Sequence, residues 1–270
     1  MKKTVNEGFD DLGMPTLKYY AFDWDDNLMY MPTKIIVQSE DGEEVGMSTE
    51  DFAEYRTKIG KEPFNYEGKT ITGFASDPFR NFTTKGDKDF LIDSMKAKPG
   101  PAWADFVEAV NNGSIFSIIT ARGHNPSTLK EAVYNMIVSD HMGLNKDLLI
   151  KNLKKFRDFV GEDKQSNQKM IREYLDMLRF YPVSFNQGDS AASPEQLKVQ
   201  AMKEFISYVK EQAKKLGQKV YLKDEVKNKF IPQIGFSDDD IRNVEVMKKE
   251  FEDEPVLKTY STAGGIKTRY

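Results

Sequence analysis

Three short apolar runs in this chain each stop at polar, chemistry-bearing residues. Leu17-Lys18-Tyr19-Tyr20-Ala21-Phe22 stops at Asp23-Trp24-Asp25-Asp26-Asn27. Ser114-Ile115-Phe116-Ser117-Ile118-Ile119 stops at Thr120-Ala121-Arg122-Gly123, and Pro232-Gln233-Ile234-Gly235-Phe236 stops at Ser237-Asp238-Asp239-Asp240. Apolar runs of this length bounded by turn signals predict buried strands. Between and after them, amphipathic stretches predict helices over 102–111, 126–140, 194–216 and 239–252. Asn125-Pro126 opens the second and Ser193-Pro194 the third; Ser is a good N-cap and Pro suits the first helical position. Gly217 is expected to cap the third helix. Val183-Ser184-Phe185 predicts another core strand, and Val256-Leu257-Lys258-Thr259-Tyr260 an edge strand. Strands alternating with helices predict an α/β fold with a parallel sheet, in which ligands bind outside the carboxyl ends of the strands.

Two stretches depart from that alternation. Residues 30–98 form a long insertion between the first strand and the next core helix. It contains strand-like Lys34-Ile35-Ile36-Val37-Gln38 and Thr70-Ile71-Thr72-Gly73-Phe74, and a helix opened by Ser48-Thr49-Glu50-Asp51. Asp41-Gly42 reads as a hairpin turn. So long a connection in a compact domain is expected to be structured or functional. Residues 144–179 read as two or three amphipathic helices, with Leu148-Leu149-Ile150, Leu153 and Phe156 followed by Met170-Ile171, Tyr174-Leu175 and Leu178. An extra packing layer is the expected role. Residues 1–16 read as a polar arm or an added strand.

Composition narrows the chemistry. The 270 residues carry a net charge of −4, which gives no global pull toward nucleic acid and leaves only a local basic groove open. With no cysteine there is no disulfide, thiolate ligand or cysteine nucleophile, and two histidines do not make a His-rich metal site. No run approaches the roughly 18 apolar residues of a membrane span, and residues 4–8 are not an apolar signal core. The expectation is a soluble, cytoplasmic protein without a membrane partner.

The carboxylates then carry the reading. On an extended chain residues i and i+2 point the same way, so Asp23 and Asp25 share a side at a strand end. Crowded acids there repel one another, and a common compensation is Mg²⁺ held by one or two carboxylates with a substrate phosphate. The chain has 43 Asp and Glu, so this pair alone means little. It gains meaning from the residues that succeed it along the chain: Thr120, then Lys198 one turn into a helix, then Asp238-Asp239-Asp240-Ile241-Arg242-Asn243.

That succession resembles the four motifs of the haloacid dehalogenase superfamily of phosphohydrolases. Asp23-Trp24-Asp25-Asp26-Asn27 resembles the first motif, with Asn27 where Thr is commoner. Thr120 and Lys198 are similar to the second and third. The last acid run resembles the form of the fourth with two adjacent acids and a later Asn. The likeness covers about 17–29, 99–138 and 180–250. It implies a Rossmann-like parallel sheet flanked by helices over 1–29 and 99–270, with the helical insertion at 144–179. Residues 30–98 would be a small α+β cap whose removal changes substrate choice more than core stability.

The resemblance also implies roles. Asp23 would be the nucleophile that forms an aspartyl-phosphate, and Asp25 the general acid and base. Thr120 would bind a phosphoryl oxygen, and Lys198 would neutralise charge on Asp23 and phosphate, with Lys203 ranked second for that motif. Mg²⁺ would be held by Asp23, Asp25 (through its backbone carbonyl), Asp238 and Asp239, with Asn243 holding one of these acids or a metal water. From the residues themselves, Arg122 could reach phosphate bidentately, and Asn27 could hold the Asp25 loop or lie near substrate. The expected activity is Mg²⁺-dependent hydrolysis of a phosphorylated small molecule. Two alternatives are phosphate removal from a nucleic-acid end, with Tyr55, Arg56, Phe64, Tyr66, Phe79, Arg80 and Phe82 of the cap stacking bases and pairing phosphates, and a non-catalytic binding protein of the same fold.

Overall fold

The computed structural model describes residues 17–160, 165–186, 192–219 and 232–270; the predicted arm at 1–16 lies outside them. Twelve strands occur among the described residues, in three sheets. The main sheet uses β1 (Leu17–Phe22), β8 (Phe116–Thr120), β9 (Arg179–Pro182), β10 (Pro232–Asp238), β11 (Leu257–Ser261) and β12 (Thr268–Arg269). Their order is β12-β11-β10-β1-β8-β9, with all pairs parallel except β11–β12. The fold is therefore mixed α/β with a mostly parallel sheet flanked by helices, compatible with a Rossmann-like arrangement.

The register places the chemistry. Phe22 pairs with Ser237 on one side and Ile118 on the other. The residues after Phe22, Ile118 and Ser237 thus leave the same edge of the sheet side by side. The three strands read from the sequence are adjacent, with β1 in the middle.

Helices cover both faces. On one side, α2 (Asp87–Ser94), α3 (Trp103–Asn111), α4 (Pro126–Val138), α5 (Lys146–Val160) and α6 (Asn167–Met177) enclose a core that includes Phe22, Phe106, Phe116, Met136 and Tyr174. On the other, α7 (Pro194–Lys219) lays Val199, Met202, Phe205 and Val209 against Tyr19, Ala21, Ile234 and Phe236, with Met247 of α8 (Ile241–Glu250). Strand residues buried on both faces explain the unbroken apolar runs. Among the described residues no helix is long and apolar enough to cross a membrane.

Sequence and structure differ at several points. The strand expected at 183–185 lies earlier, at β9; the Val183 N–H donates to Thr120 O (2.9 Å) as the chain turns. Gly217 falls inside α7 and does not end it. The tail strand is covered on its outer side by β12, so β11 is not an edge. The 144–179 segment is two helices, and both pack on the core, which makes it the expected extra layer.

The insertion divides in two. Strands β3 (Ile35–Ser39), β4 (Glu44–Met47), β5 (Phe64–Tyr66) and β6 (Lys69–Phe74) form an antiparallel sheet, with α1 (Thr49–Tyr55) against it. This unit has its own apolar cluster of Val37, Val45, Met47, Ile59, Tyr66 and Ile71. Asp41-Gly42 makes the β3–β4 turn, and Gly42 takes φ +81°, open to glycine without strain. By contrast Met31, Phe90 and Ala97 belong to the main core. The self-contained unit is thus about 35–74, shorter than the expected 30–98 cap, and the rest of 30–98 packs with the main sheet and its helices. Short strand β2 (Met29–Tyr30) pairs with β7 (Lys98–Pro99), so the insertion leaves and returns at one place. Gly100 is required there: a Cβ would lie 2.4 Å from the Asn27 carbonyl oxygen.

Candidate active site

The loop after β1 is wound tightly. Leu28 and Met29 N–H groups both donate to the Trp24 carbonyl, Asp26 N–H donates to Met29 O, and Asp26 sits at φ 54°. A non-glycine residue in the left-handed region is uncommon and marks a conformation held by its surroundings. The holder is Asn27, which is fully buried. Its Nδ2 donates to Asp23 O (3.0 Å), Ser237 O (3.1 Å) and Ser237 Oγ (3.2 Å), and its Oδ1 accepts from Thr262 Oγ1 (2.8 Å). One amide thereby ties the loops after β1 and β11 to the end of β10. Its polar atoms are spent on protein, which corrects Asn27 as a substrate contact and supports its role as a loop staple.

At the sheet edge Lys198 bridges two acids. Its Nζ donates to Asp23 Oδ1 at 2.8 Å and to Asp238 Oδ2 at 2.7 Å, and all three side chains are buried. Ser193 caps α7, accepting from Gln196 N–H, which sets Lys198 one turn in and facing the strand ends. Lys203 instead pairs with exposed Glu250, so Lys198 is the lysine at this place. Asp238 Oδ1 accepts from Asn243 Nδ2 and Asp240 N–H, both at 3.0 Å. That bears out Asn243 as a holder of the acid.

Asp23, Asp238 and Asp239 each bring an oxygen within 4.8 Å of the others. Like charges at that spacing repel by about 3–4 kcal/mol per pair at an effective dielectric of about 20. One ammonium cannot offset three carboxylates, two of them buried and that of Asp239 half-buried. Burial holds the Asp23, Asp238 and Asp239 carboxyls above the ordinary range, with repulsion from neighbouring acids adding to it at Asp23 and Asp239 and Lys198 opposing. Burial alone would lower the Lys198 ammonium, but Asp23 and Asp238 outweigh it and raise its pKa. A cluster short of positive charge, built of oxygen donors, fits a hard divalent cation such as Mg²⁺. Groups of acids also occur without a metal, so the fit is chemical compatibility.

Asp25 is not part of that triad. Arg122 grips its carboxylate with Nε to Oδ2 at 2.8 Å and Nη2 to Oδ1 at 2.6 Å. Nη2 also donates to Thr33 Oγ1 (3.1 Å), and Nη1 lies 3.0 Å from His124 Nε2. A guanidinium has no acceptor, so His124 Nε2 accepts and Nδ1 carries the hydrogen toward Asp87 Oδ1, 2.8 Å away. Burial and the Arg122 charge lower the His124 pKa, in keeping with a neutral ring. Phe82 and Phe90 place their rings 4.6 and 5.0 Å from the guanidinium carbon. Arg122 is buried, with four N–H bonds committed to protein, which corrects its reading as a free phosphate clamp. The Asp25 backbone carbonyl, the part expected to meet the metal, accepts from Asn27 N–H at 2.6 Å, while the carboxylate is held by Arg122.

Thr120 lies buried at the end of β8, its hydroxyl accepting from Arg122 N–H at 3.3 Å. Sequence reasoning missed Thr33, Asp87, His124, Ser237 and Thr262. Each is a single polar residue without a spacing pattern; Ser237, just before Asp238, and His124, two residues past Arg122, stood beside motifs. Comparison with family models, curated proteins and solved structures found no match for this chain.

Proposed function

We propose that this protein is a Mg²⁺-dependent phosphomonoesterase that works through an aspartyl-phosphate on Asp23. The observation that carries the reading is Lys198 bridging Asp23 and Asp238 at adjacent strand ends, with Asp239 beside them. A carboxylate oxygen of Asp23 attacks phosphorus, the ester oxygen leaves, and water then cleaves the acyl phosphate to regenerate Asp23. Lys198 offsets negative charge on nucleophile and phosphoryl group. Asp23, Asp238 and Asp239 would hold the cation, which supplies charge neutralisation on the phosphoryl oxygens. Thr120 would donate its hydroxyl to the same group.

Asp25 has two tasks with opposite needs. Accepting on both oxygens from Arg122, it is ready as a base toward the hydrolytic water. To protonate the leaving oxygen it must first loosen that grip and take up a proton. The test is phosphate release from a panel of monoesters, with Mg²⁺ and with EDTA, for the full chain and Asp23→Asn. Metal-dependent release that vanishes in the variant supports the proposal; release that survives both treatments overturns it.

A further inference from the structure

The cap's aromatic residues fall into two groups. Tyr55 and Phe64 stack at 4.9 Å with Tyr66 against Tyr55, on the cap's own core. Phe52, which also packs on that core, meets Phe74 and Phe79 on its outer side, with centroids 5.6 to 6.2 Å apart in tilted and edge-on contacts. Phe74 and Phe79 are 40% and 39% exposed. Two touching phenylalanines left open to water forfeit burial and call for an occupant.

Their position says which occupant. Thr49, Phe52 and Arg56 follow one another at helical spacing along one face of α1. Thr49 lies against the Asp26 carboxylate, and Arg56 reaches Glu195 at 3.1 Å and Asp240 at 3.9 Å. Both ends of that face therefore rest on loops of the acid cluster, with Phe52 between them. From the other side Phe79 contacts Phe82, whose ring lies under Arg122, the partner of Asp25. The open rings thus stand between the α1 contacts to the acid-cluster loops and the Phe82 contact to Arg122.

We infer that Phe52, Phe74 and Phe79 form the site for the base of a nucleoside monophosphate whose phosphate lies at Asp23. The inference rests on the phosphatase reading and names its substrate class. Ring edges and faces presented together suit a planar heteroaromatic group, which stacks without regard to its identity. The charge pattern favours a mononucleotide over a strand. A strand groove needs unpaired cations along the backbone, yet Arg56, Arg80 and Lys85 around the rings are paired to Glu195, Glu44 and Asp77.

The test compares the full chain with Phe74→Ala, Phe79→Ala and Phe79→Trp, in Mg²⁺. Substrates are a nucleoside 5′-monophosphate, ribose 5-phosphate and a 5′-phosphorylated oligonucleotide; binding of the mononucleotide is followed separately by calorimetry. The full chain is expected to favour the mononucleotide over ribose 5-phosphate at least tenfold in kcat/KM. Either alanine removes most of that preference by raising KM for the mononucleotide far more than for ribose 5-phosphate, while Phe79→Trp keeps it. Equal turnover of the two small substrates, a preference untouched by both alanines, or a better rate on the oligonucleotide overturns the inference. Nucleotide binding that weakens in the alanine variants with no phosphate released from any substrate leaves the ring site standing and removes the phosphatase reading. Absence of nucleotide binding removes the ring site even where other monoesters are hydrolysed.

Discussion

Arg122 holds Asp25 by both carboxylate oxygens, at 2.8 and 2.6 Å, while its own guanidinium is 1% exposed and flanked by Phe82 and Phe90. The arginine leaves the loop after β8, the aspartate the loop after β1, and Thr33 and Asp87 complete the network from the two ends of the insertion. The pair therefore joins the strand ends to the segment that returns from the cap.

Removing one member of such a buried pair leaves the other uncompensated, which costs about 3–5 kcal/mol when both are buried. Asp25 retains some solvent contact, so Arg122→Gln is expected to lower unfolding stability by about 2–3 kcal/mol, at or below the bottom of that range. Arg122→Lys keeps the charge but not the fork, and falls between. Urea denaturation measures both. A loss under about 1 kcal/mol in the glutamine variant would mean that the fork is not holding these loops.

Asp23→Asn should abolish turnover without loosening the fold. The amide keeps the shape and removes one of three crowded carboxylates. Stability in the absence of metal is expected to stay level or rise, because repulsion falls even as the Lys198 bond weakens. The checks are phosphate release and a thermal melt at pH 8 in EDTA. Near-wild-type turnover would exclude Asp23 as nucleophile; a collapsed melt would assign it a structural role.

Metal and pH should be linked. Burial pushes the Asp23, Asp238 and Asp239 carboxyls up, and Asp26 up to about 6. A carboxyl whose pKa is raised by folding contributes stability below its unfolded value of about 4. That contribution is lost as pH climbs through the folded value. Metal-free protein should therefore melt higher at pH 5 than at pH 8. Mg²⁺ should restore more at pH 8, where protons no longer compete; ligand at a hundred times its Kd adds about 2.7 kcal/mol. A melting point in EDTA that is flat from pH 5 to 8, or a larger Mg²⁺ effect at pH 5, would contradict this account.

The strand ends were legible because buried parallel strands write unbroken apolar runs, and the residues that stop them stand out. Thus β1, β8 and β10 with Asp23, Thr120 and Asp238 could be placed, and Lys198 followed from the Ser193-Pro194 helix start. What could not be read is where side chains spend their hydrogen bonds. Arg122 and Asn27 carry the right groups to meet substrate, yet each is committed to protein partners, some a few residues along the chain and others on distant strands and loops. Tertiary packing alone makes that choice. The cap boundary was blurred for a similar reason. Helix α2 presents Phe90 to the core in a pattern that a cap helix would share.

That boundary gives the last prediction. Val37 pairs with Phe74, and Ala75 N–H donates to the Ile36 carbonyl, so the chain enters and leaves the cap sheet side by side. A short Gly/Ser linker in place of 38–73 can close the gap; it removes the cap's own cluster and the Thr49 and Arg56 contacts to the catalytic loops but leaves the main core intact. Replacing 31–97 is a different operation. It deletes Phe90, 2% exposed and in ring contact with Trp24 and His124, together with Met31, Ala97 and the Thr33 and Asp87 partners of the Arg122 network. Loss of one buried phenylalanine side chain costs about 3–5 kcal/mol, a large part of the roughly 5–15 kcal/mol that holds a domain together. The shorter excision is expected to give a cooperative melt and slow turnover of small aryl phosphates without substrate preference. The longer one is expected to give no cooperative melt by circular dichroism. If the longer excision melts as cooperatively as the shorter, residues 75–97 are cap after all, and the contacts of Phe90 and Asp87 do not hold the catalytic loops.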